Sequence, residues 1–127
     1  MLTQFHDKKP IFLQVKEKIE DQIFKEQLKE HEQIPSTTQM VQFYKVNHIT
    51  VSKGINLLVE EGIVYKKRGV GMFVAEGAKE KLVQIRKGVF ANHYVSPMLI
   101  EAERLGLSEN DITTIMRELK ERDHFEF

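Results

Sequence analysis

Two helix-start signals close together set the frame of this chain. Ser36-Thr37-Thr38-Gln39 follows Pro35. A Ser with a Gln three residues on is a capping box, in which each side chain satisfies a free backbone N–H. Asn47 offers a second N-cap only eleven residues further along. Between the two there is room for a short helix, burying Met40, Val41 and Phe43, and for a tight break at Tyr44-Lys45-Val46. The helix that Asn47 opens runs to about Glu61, with Val51, Ile55 and Leu58 on one face beside Gly54. A glycine within a helix costs about 1 kcal/mol against alanine. On a buried face it allows close approach to the preceding helix.

The opposite face of that longer helix carries the chemistry. Ile49, Ser52, Lys53 and Asn56 obey the i, i+3, i+4, i+7 rule and project together, with His48 and Thr50 beside them at the helix start. Most are hydrogen-bond donors, Ile49 offers an apolar contact, and none is acidic. The whole stretch Gln33–Val59 is free of Asp and Glu, although acids make up 15% of the chain. From Pro35 to Ala75 five basic side chains face two acidic ones, a local +3 within a chain whose nineteen Lys and Arg balance nineteen Asp and Glu. A positive field of this kind suits a polyanion.

The flanking segments complete the frame. Pro10 suits a first helical turn, and Phe12, Val15, Ile19 and Ile23 then recur at helical spacing, so a first helix is expected from Ile11 to about Lys25. Leu28–Ile34 reads as a loop or very short strand. After Gly62, Ile63–Lys67 and Met72–Ala75 read as two strands of a hairpin whose tip is Gly69-Val70-Gly71, with Lys66-Lys67-Arg68 leading into it. Beyond Gly77 everything reads as helix. One long helix carries the stripes Leu82, Ile85, Val89 and Met98, Ala102, Leu105, interrupted at Asn92-His93 and kinked at Pro97. Gly106 stops it, and a second capping box at Ser108–Asp111 opens a last helix with Ile112, Ile115, Met116 and Leu119 on one side.

Composition excludes several classes. Apolar residues are 41% and charged residues 30%, the range of a folded domain. There is no cysteine, which removes disulfides, thiolate nucleophiles and Cys-based zinc sites. No stretch approaches the roughly 18 apolar residues of a membrane span. The first ten residues lack the apolar core of a signal peptide, so a cytoplasmic location and no membrane partner are expected. His6, His31, His48, His93 and His124 show no ligand spacing, so no metal and no cofactor are expected. No Ser, His and carboxylate set suggests a triad, and Gly69-Val70-Gly71 is too short for a phosphate loop. No enzyme is indicated.

A capped short helix, a turn, an acid-free amphipathic helix and a basic hairpin make a winged helix-turn-helix. Its third helix would lie in the DNA major groove and its wing on the adjacent backbone or minor groove. The expected fold is mainly α with a small β-hairpin wing: a winged helix-turn-helix over residues 1–77, then a two-helix dimerisation hairpin over residues 78–127. The apolar stripes of two helices cannot fully cover each other, so Leu82, Ile85, Val89, Phe90, Met98, Leu105, Ile112, Ile115, Met116 and Leu119 are expected to pack against a second copy. Two helices that also dimerise leave no enclosed space for a tight small-molecule ligand.

At these residues the chain resembles the GntR family of bacterial transcription regulators. The resemblance runs from Pro10-Ile11-Phe12-Leu13-Gln14-Val15, through Ile34-Pro35-Ser36 and Val46–Lys53, to Leu58–Val64 and Gly69–Val74. The short helical end, with Leu105-Gly106-Leu107-Ser108 at its linker, is similar to the YtrA subfamily. That resemblance implies a homodimeric repressor acting on an inverted-repeat operator, and control of a transporter operon. Three positions depart from the family: Thr38 stands where an Arg usually contacts DNA, His48-Ile49 where Arg or Pro-Asn is common, and Gly54 where Ala is common. DNA contacts are accordingly expected from Ser36, Thr38, Asn47, His48, Ile49, Thr50, Ser52, Lys53, Asn56, Lys67, Arg68 and Gly69. The alternative is a winged-helix module for protein assembly or for nonspecific nucleic-acid binding. Salt separates the readings, because affinity for DNA falls linearly with salt on logarithmic axes.

Overall fold

A computed structural model describes residues 5–124. Helix α1 spans Ile11–Phe24, α2 Thr37–Tyr44 and α3 His48–Glu60. Strands β1 (Val64–Lys67) and β2 (Gly71–Val74) pair antiparallel, Val64 opposite Val74 and Lys67 opposite Gly71. Helix α4 (Ala78–Phe90), a wide π-helical turn (Ala91–Val95), α5 (Ser96–Leu105) and α6 (Glu109–Asp123) follow. None of the described helices is long and apolar enough to cross a membrane.

The chain separates into two compact units, the first ending at Gln84 and the second beginning at Ile85. The core of the first unit joins Val15, Ile19 and Ile23 of α1 to Met40 of α2, Val51, Ile55 and Leu58 of α3, and Ile63, Val64 and Val74 of the hairpin. Ala78 and Leu82 complete it, both fully buried. The first unit therefore reaches past the boundary expected at Gly77, because two apolar side chains of α4 seal its base.

The local signals act as their chemistry dictates. Ser36 Oγ accepts the Gln39 backbone N–H at 3.0 Å while Gln39 Oε1 accepts the Ser36 N–H at 2.8 Å, a closed capping box. Asn47 Oδ1 accepts the Thr50 N–H at 2.8 Å and starts α3. Met40 is buried and Val41 half-buried, but Phe43 is 67% exposed, contrary to expectation. An eight-residue helix has one narrow inner face, and Met40 occupies it. The Leu28–Ile34 segment forms a third rung on the hairpin: His31 N–H donates to the Val74 carbonyl, Val74 N–H to the Glu32 carbonyl, and Ile34 N–H to the Met72 carbonyl, at 2.7–2.9 Å.

Gly54 marks a close helix crossing in the unit. A Cβ placed there would lie 2.6 Å from the carbonyl oxygen of Phe12. The helix it admits is α1, not the preceding α2 as expected. Nearby, Gln14 is buried and ties down the N-terminal segment. It donates to the His6 carbonyl at 2.7 Å and the Lys9 carbonyl at 2.8 Å, and accepts the His6 N–H at 3.0 Å. Lys16 of α1 lies 2.9 Å from Glu20 and 3.2 Å from Glu61 at the end of α3. Burial alone would lower the Lys16 pKa, but its hydrogen bonds to the two carboxylates and their charge leave it raised above 10.5.

In the second unit, Pro97 lacks the N–H that an α-helix would aim at the His93 carbonyl, and its ring crowds that oxygen. The backbone answers with the π turn rather than a break, since Phe90 and Ser96 on either side keep helical angles. Gly106 ends α5 at φ +71°, and the Leu107 N–H closes back on the Ala102 carbonyl at 2.9 Å. The Ser108–Asp111 box starts α6, and its Ser108 hydrogen bonds, backbone first, hold the Asp111 carboxyl below its ordinary 3.8.

Two outcomes are expected. Gly54→Ala should lower the unfolding free energy by about 1–3 kcal/mol, although alanine is the better helix former, because the crossing leaves no room for a methyl. Urea denaturation checks this, and an unchanged midpoint would refute the close crossing. The second concerns pH. A lysine whose folded pKa is raised contributes stability below its unfolded value of 10.5 that is lost as pH rises through the folded value. Lys16→Arg, whose charge persists, should therefore lose less stability than the wild type above that pH.

Candidate nucleic-acid interface

The exposed side of α3 is built before any partner arrives. Its inner residues Val51, Gly54, Ile55 and Leu58 are buried, which turns Ile49, Lys53 and Asn56 outward. Ile49 is 79% exposed, an apolar side chain held in water by the helix it belongs to. A thymine methyl is a natural partner for it. His48 and Ser52 are one turn apart, with Nδ1 and Oγ separated by 3.4 Å, so their polar groups meet along the same face. The cap is made by Asn47, which leaves His48 free of that duty; Asn47 and the Thr50 amide are committed to it. Lys53 lies with its ammonium 4.1 Å from the centre of the Phe12 ring.

The start of α2 sits at the other side of the turn. Ser36 is engaged in its capping box, and Thr38, one residue into the helix, is exposed. In the hairpin, Lys66, Lys67 and Arg68 are exposed, and the Val70 N–H donates to the Lys67 carbonyl at 2.9 Å to form the tip. Gly69 takes φ +76°, which a side chain would strain. The Gln33 amide donates to the Val70 carbonyl at 3.0 Å and braces the tip from the connector. Lys67 lies 4.9 Å from the Phe73 ring centre. None of Lys53, Lys66, Lys67 and Arg68 has a carboxylate partner among the described residues, so their charge is available to a polyanion.

Phe12 and Gln33 contribute to this surface, and their part in it was not read from the sequence. Phe12 was legible only as a core-face residue of α1. Gln33 carries no local signal, because its role depends on a hairpin almost forty residues away. The fold also gathers Glu30, His31 and Glu76 at the exposed foot of the hairpin, their ligand atoms within 4.8 Å of one another. That set could hold a divalent cation, and spacing along the chain does not reveal it. Its members already have partners: Glu30 accepts the Gly77 N–H at 2.8 Å, and His31 shares a 3.0 Å hydrogen bond with the Tyr65 hydroxyl. An open hollow of about 570 Å³ lies beside α2, lined by Ile19, Pro35, Met40, Phe43 and Tyr44.

The dimerisation residues divide. Leu82 belongs to the core of the first unit and is corrected on that ground, since a fully buried side chain offers no surface to a second copy. Ile85, Val89, Phe90, Met98, Leu105, Ile115, Met116 and Leu119 are 37–63% exposed, and Ile112 is half-buried.

A three-helix unit with a two-stranded wing, an exposed helix face carrying Ile49, Ser52, Lys53 and Asn56, and wing cations without carboxylate partners define a winged helix-turn-helix DNA-binding protein. The profile of "Bacterial regulatory proteins, gntR family" matches residues 12–74. A putative GntR-family transcriptional regulator from Bacteroides thetaiotaomicron, solved by crystallography, is 34% identical with a TM-score of 0.76, over 89% of this chain and 98% of that one. The transcriptional repressor YtrA of Bacillus subtilis is 26% identical over 87% of this chain and 84% of its own length. The DNA-binding domain of AraR, solved in complex with operator ORX1, is 32% identical with a TM-score of 0.53, over 56% of this chain and 92% of that one. The chain belongs to the GntR family. It is a DNA-binding transcription regulator, not an enzyme.

The two kinds of cation should behave differently. Lys53→Ala should cost about 1–3 kcal/mol of specific binding and relax preference at one position. Arg68→Ala should weaken all sequences alike and reduce the salt slope by about one. Fluorescence anisotropy on specific and scrambled duplexes checks both, and an unchanged affinity for Lys53→Ala would refute the recognition-helix assignment.

Proposed function

We propose that the protein is a repressor that binds an inverted-repeat operator as a homodimer, with the helices beyond the wing as the dimeriser. The observation that carries this is the uncovered apolar face of the second unit. No described residue of α6 is buried, yet Ile115, Met116 and Leu119 share one side of it at helical spacing. Apolar surface left this open marks an interface, and a second copy related by a two-fold axis closes it as a helical bundle. Dimerisation also serves recognition. Two copies of α3 on one face match half-sites about one helical turn, or a multiple of it, apart.

DNA contact is assigned to Ile49, Ser52, Lys53 and Asn56 with His48 and Thr50 on α3, to Ser36, Thr38 and Asn47 around the turn, and to Lys67, Arg68 and Gly69 on the wing. The likeness to a repressor supports repression, and the subfamily resemblance supports a transporter operon as the target. No tight small-molecule ligand is required for this activity.

The test is sedimentation of the full chain beside Met116→Glu/Leu119→Glu. The wild type should sediment as a dimer at micromolar concentration and the variant as a folded monomer. The variant should need about 10²- to 10⁴-fold more protein to fill a two-half-site duplex, because the second contact is no longer intramolecular. A monomeric wild type, or equal operator affinity for the two, would overturn the proposal. Because Ala78 and Leu82 belong to the first unit's core, any truncation should fall after Gln84 rather than after Gly77.

A further inference from the structure

A DNA-reading lysine held in place before DNA arrives binds at lower entropic cost, because ordering its flexible four-carbon stem costs entropy. Lys53 is the one lysine or arginine of α3. Its ammonium meets no carboxylate among the described residues and lies instead 4.1 Å from the centre of the Phe12 ring. Phe12 stands in the first turn of α1, half-buried. It reaches Lys53 because α1 and α3 cross at the very next residue, Gly54, where a Cβ would come within 2.6 Å of the Phe12 carbonyl oxygen. The close crossing and the ring under the cation are thus one arrangement.

An ammonium has three N–H donors. A ring face engages one side of the cation through its quadrupole, leaving the other donors for a base edge or a phosphate. Seating on the ring and binding DNA are therefore compatible. The wing repeats the pairing: Lys67 lies 4.9 Å from the Phe73 ring centre, and Phe73 stacks on Tyr65. Lys66 and Arg68 have no such ring among the described residues.

We propose that Phe12 is a positioning residue of the DNA interface, whose ring seats the Lys53 ammonium at the edge of the recognition face and so fixes which base edge or phosphate Lys53 reaches. This rests on the reading of α3 as the DNA-reading helix.

The experiment is a double-mutant cycle on the full chain, with duplexes enriched by the wild type from a random pool as the probe. Phe12→Leu should weaken binding about two- to fivefold and broaden preference at the position Lys53 reads. In the Lys53→Ala background the same change should add nothing. Phe12→Tyr, which keeps the ring, should bind like the wild type. Thermal melting confirms that each variant is folded. A second measurement needs no variant and no DNA: the Lys53 ε-methylene protons should be shifted upfield of those of Lys66 by the ring current. Equal losses from Phe12→Leu with and without Lys53 would show mere packing and overturn the proposal, as would Lys53 protons at the Lys66 position. If Lys53→Ala itself leaves affinity unchanged, the contact assignment fails and the positioning role fails with it. If Lys53→Ala weakens binding and Phe12→Leu does not, only the positioning role is wrong.

Discussion

The structure depends on how closely α1 can lie against α3. A helix crossing is set by the side chains between the two axes, and at Gly54 there is none. The Phe12 carbonyl occupies the space a methyl would take. That approach places Val15 and Ile19 of α1 against Val51, Ile55 and Leu58, and the core they form is buried throughout. Lys16 clamps the same pair of helices further along, its ammonium pairing with Glu20 of its own helix and with Glu61 at the end of α3. With one side of α3 fixed this firmly, its opposite side is presented as a rigid surface.

A rigid surface matters because direct readout compares donor and acceptor positions a few ångströms apart. Side chains that wander would average those differences away. The two caps that bound the turn, the Asn47 cap and the Ser36 box, set where α3 begins. The wing is braced from two directions, by the 31–34 segment pairing along β2 and by Gln33 holding the tip. Unpaired positive charge on the helix and hairpin then supplies the attraction, while the acids of the chain lie outside the Gln33–Val59 stretch and the hairpin. Overall neutrality is thus no obstacle to binding a polyanion.

Much of this was legible in the sequence because it is local. Capping boxes, a left-handed glycine at a turn and the spacing of apolar residues act within a few residues of each other, and they indicated α1 to α3, the hairpin and the start of α6. What was not legible depends on distant partners. Gly54 signalled a close approach, but only the fold shows that α1 makes it. Phe43 and Leu82 were both read by periodicity. Phe43 turned outward because α2 is too short to bury a second large residue, and Leu82 turned inward because the base of the first unit was open. Pro97 was read as a kink and Asn92-His93 as an interruption, and a π turn at Ala91–Val95 falls on that interruption, relieving the clash with the His93 carbonyl. Gln33 and Phe12 left no local trace of their part in the DNA-facing surface.

The most direct measurement is amide chemical-shift mapping of the labelled protein titrated with an enriched duplex. The largest changes should fall on His48–Asn56 of α3 and on Lys66–Gly71 of the wing, with smaller ones at Ser36–Thr38 and little change along α6. Changes concentrated elsewhere, with α3 and the wing silent, would contradict the assignment of this face to DNA.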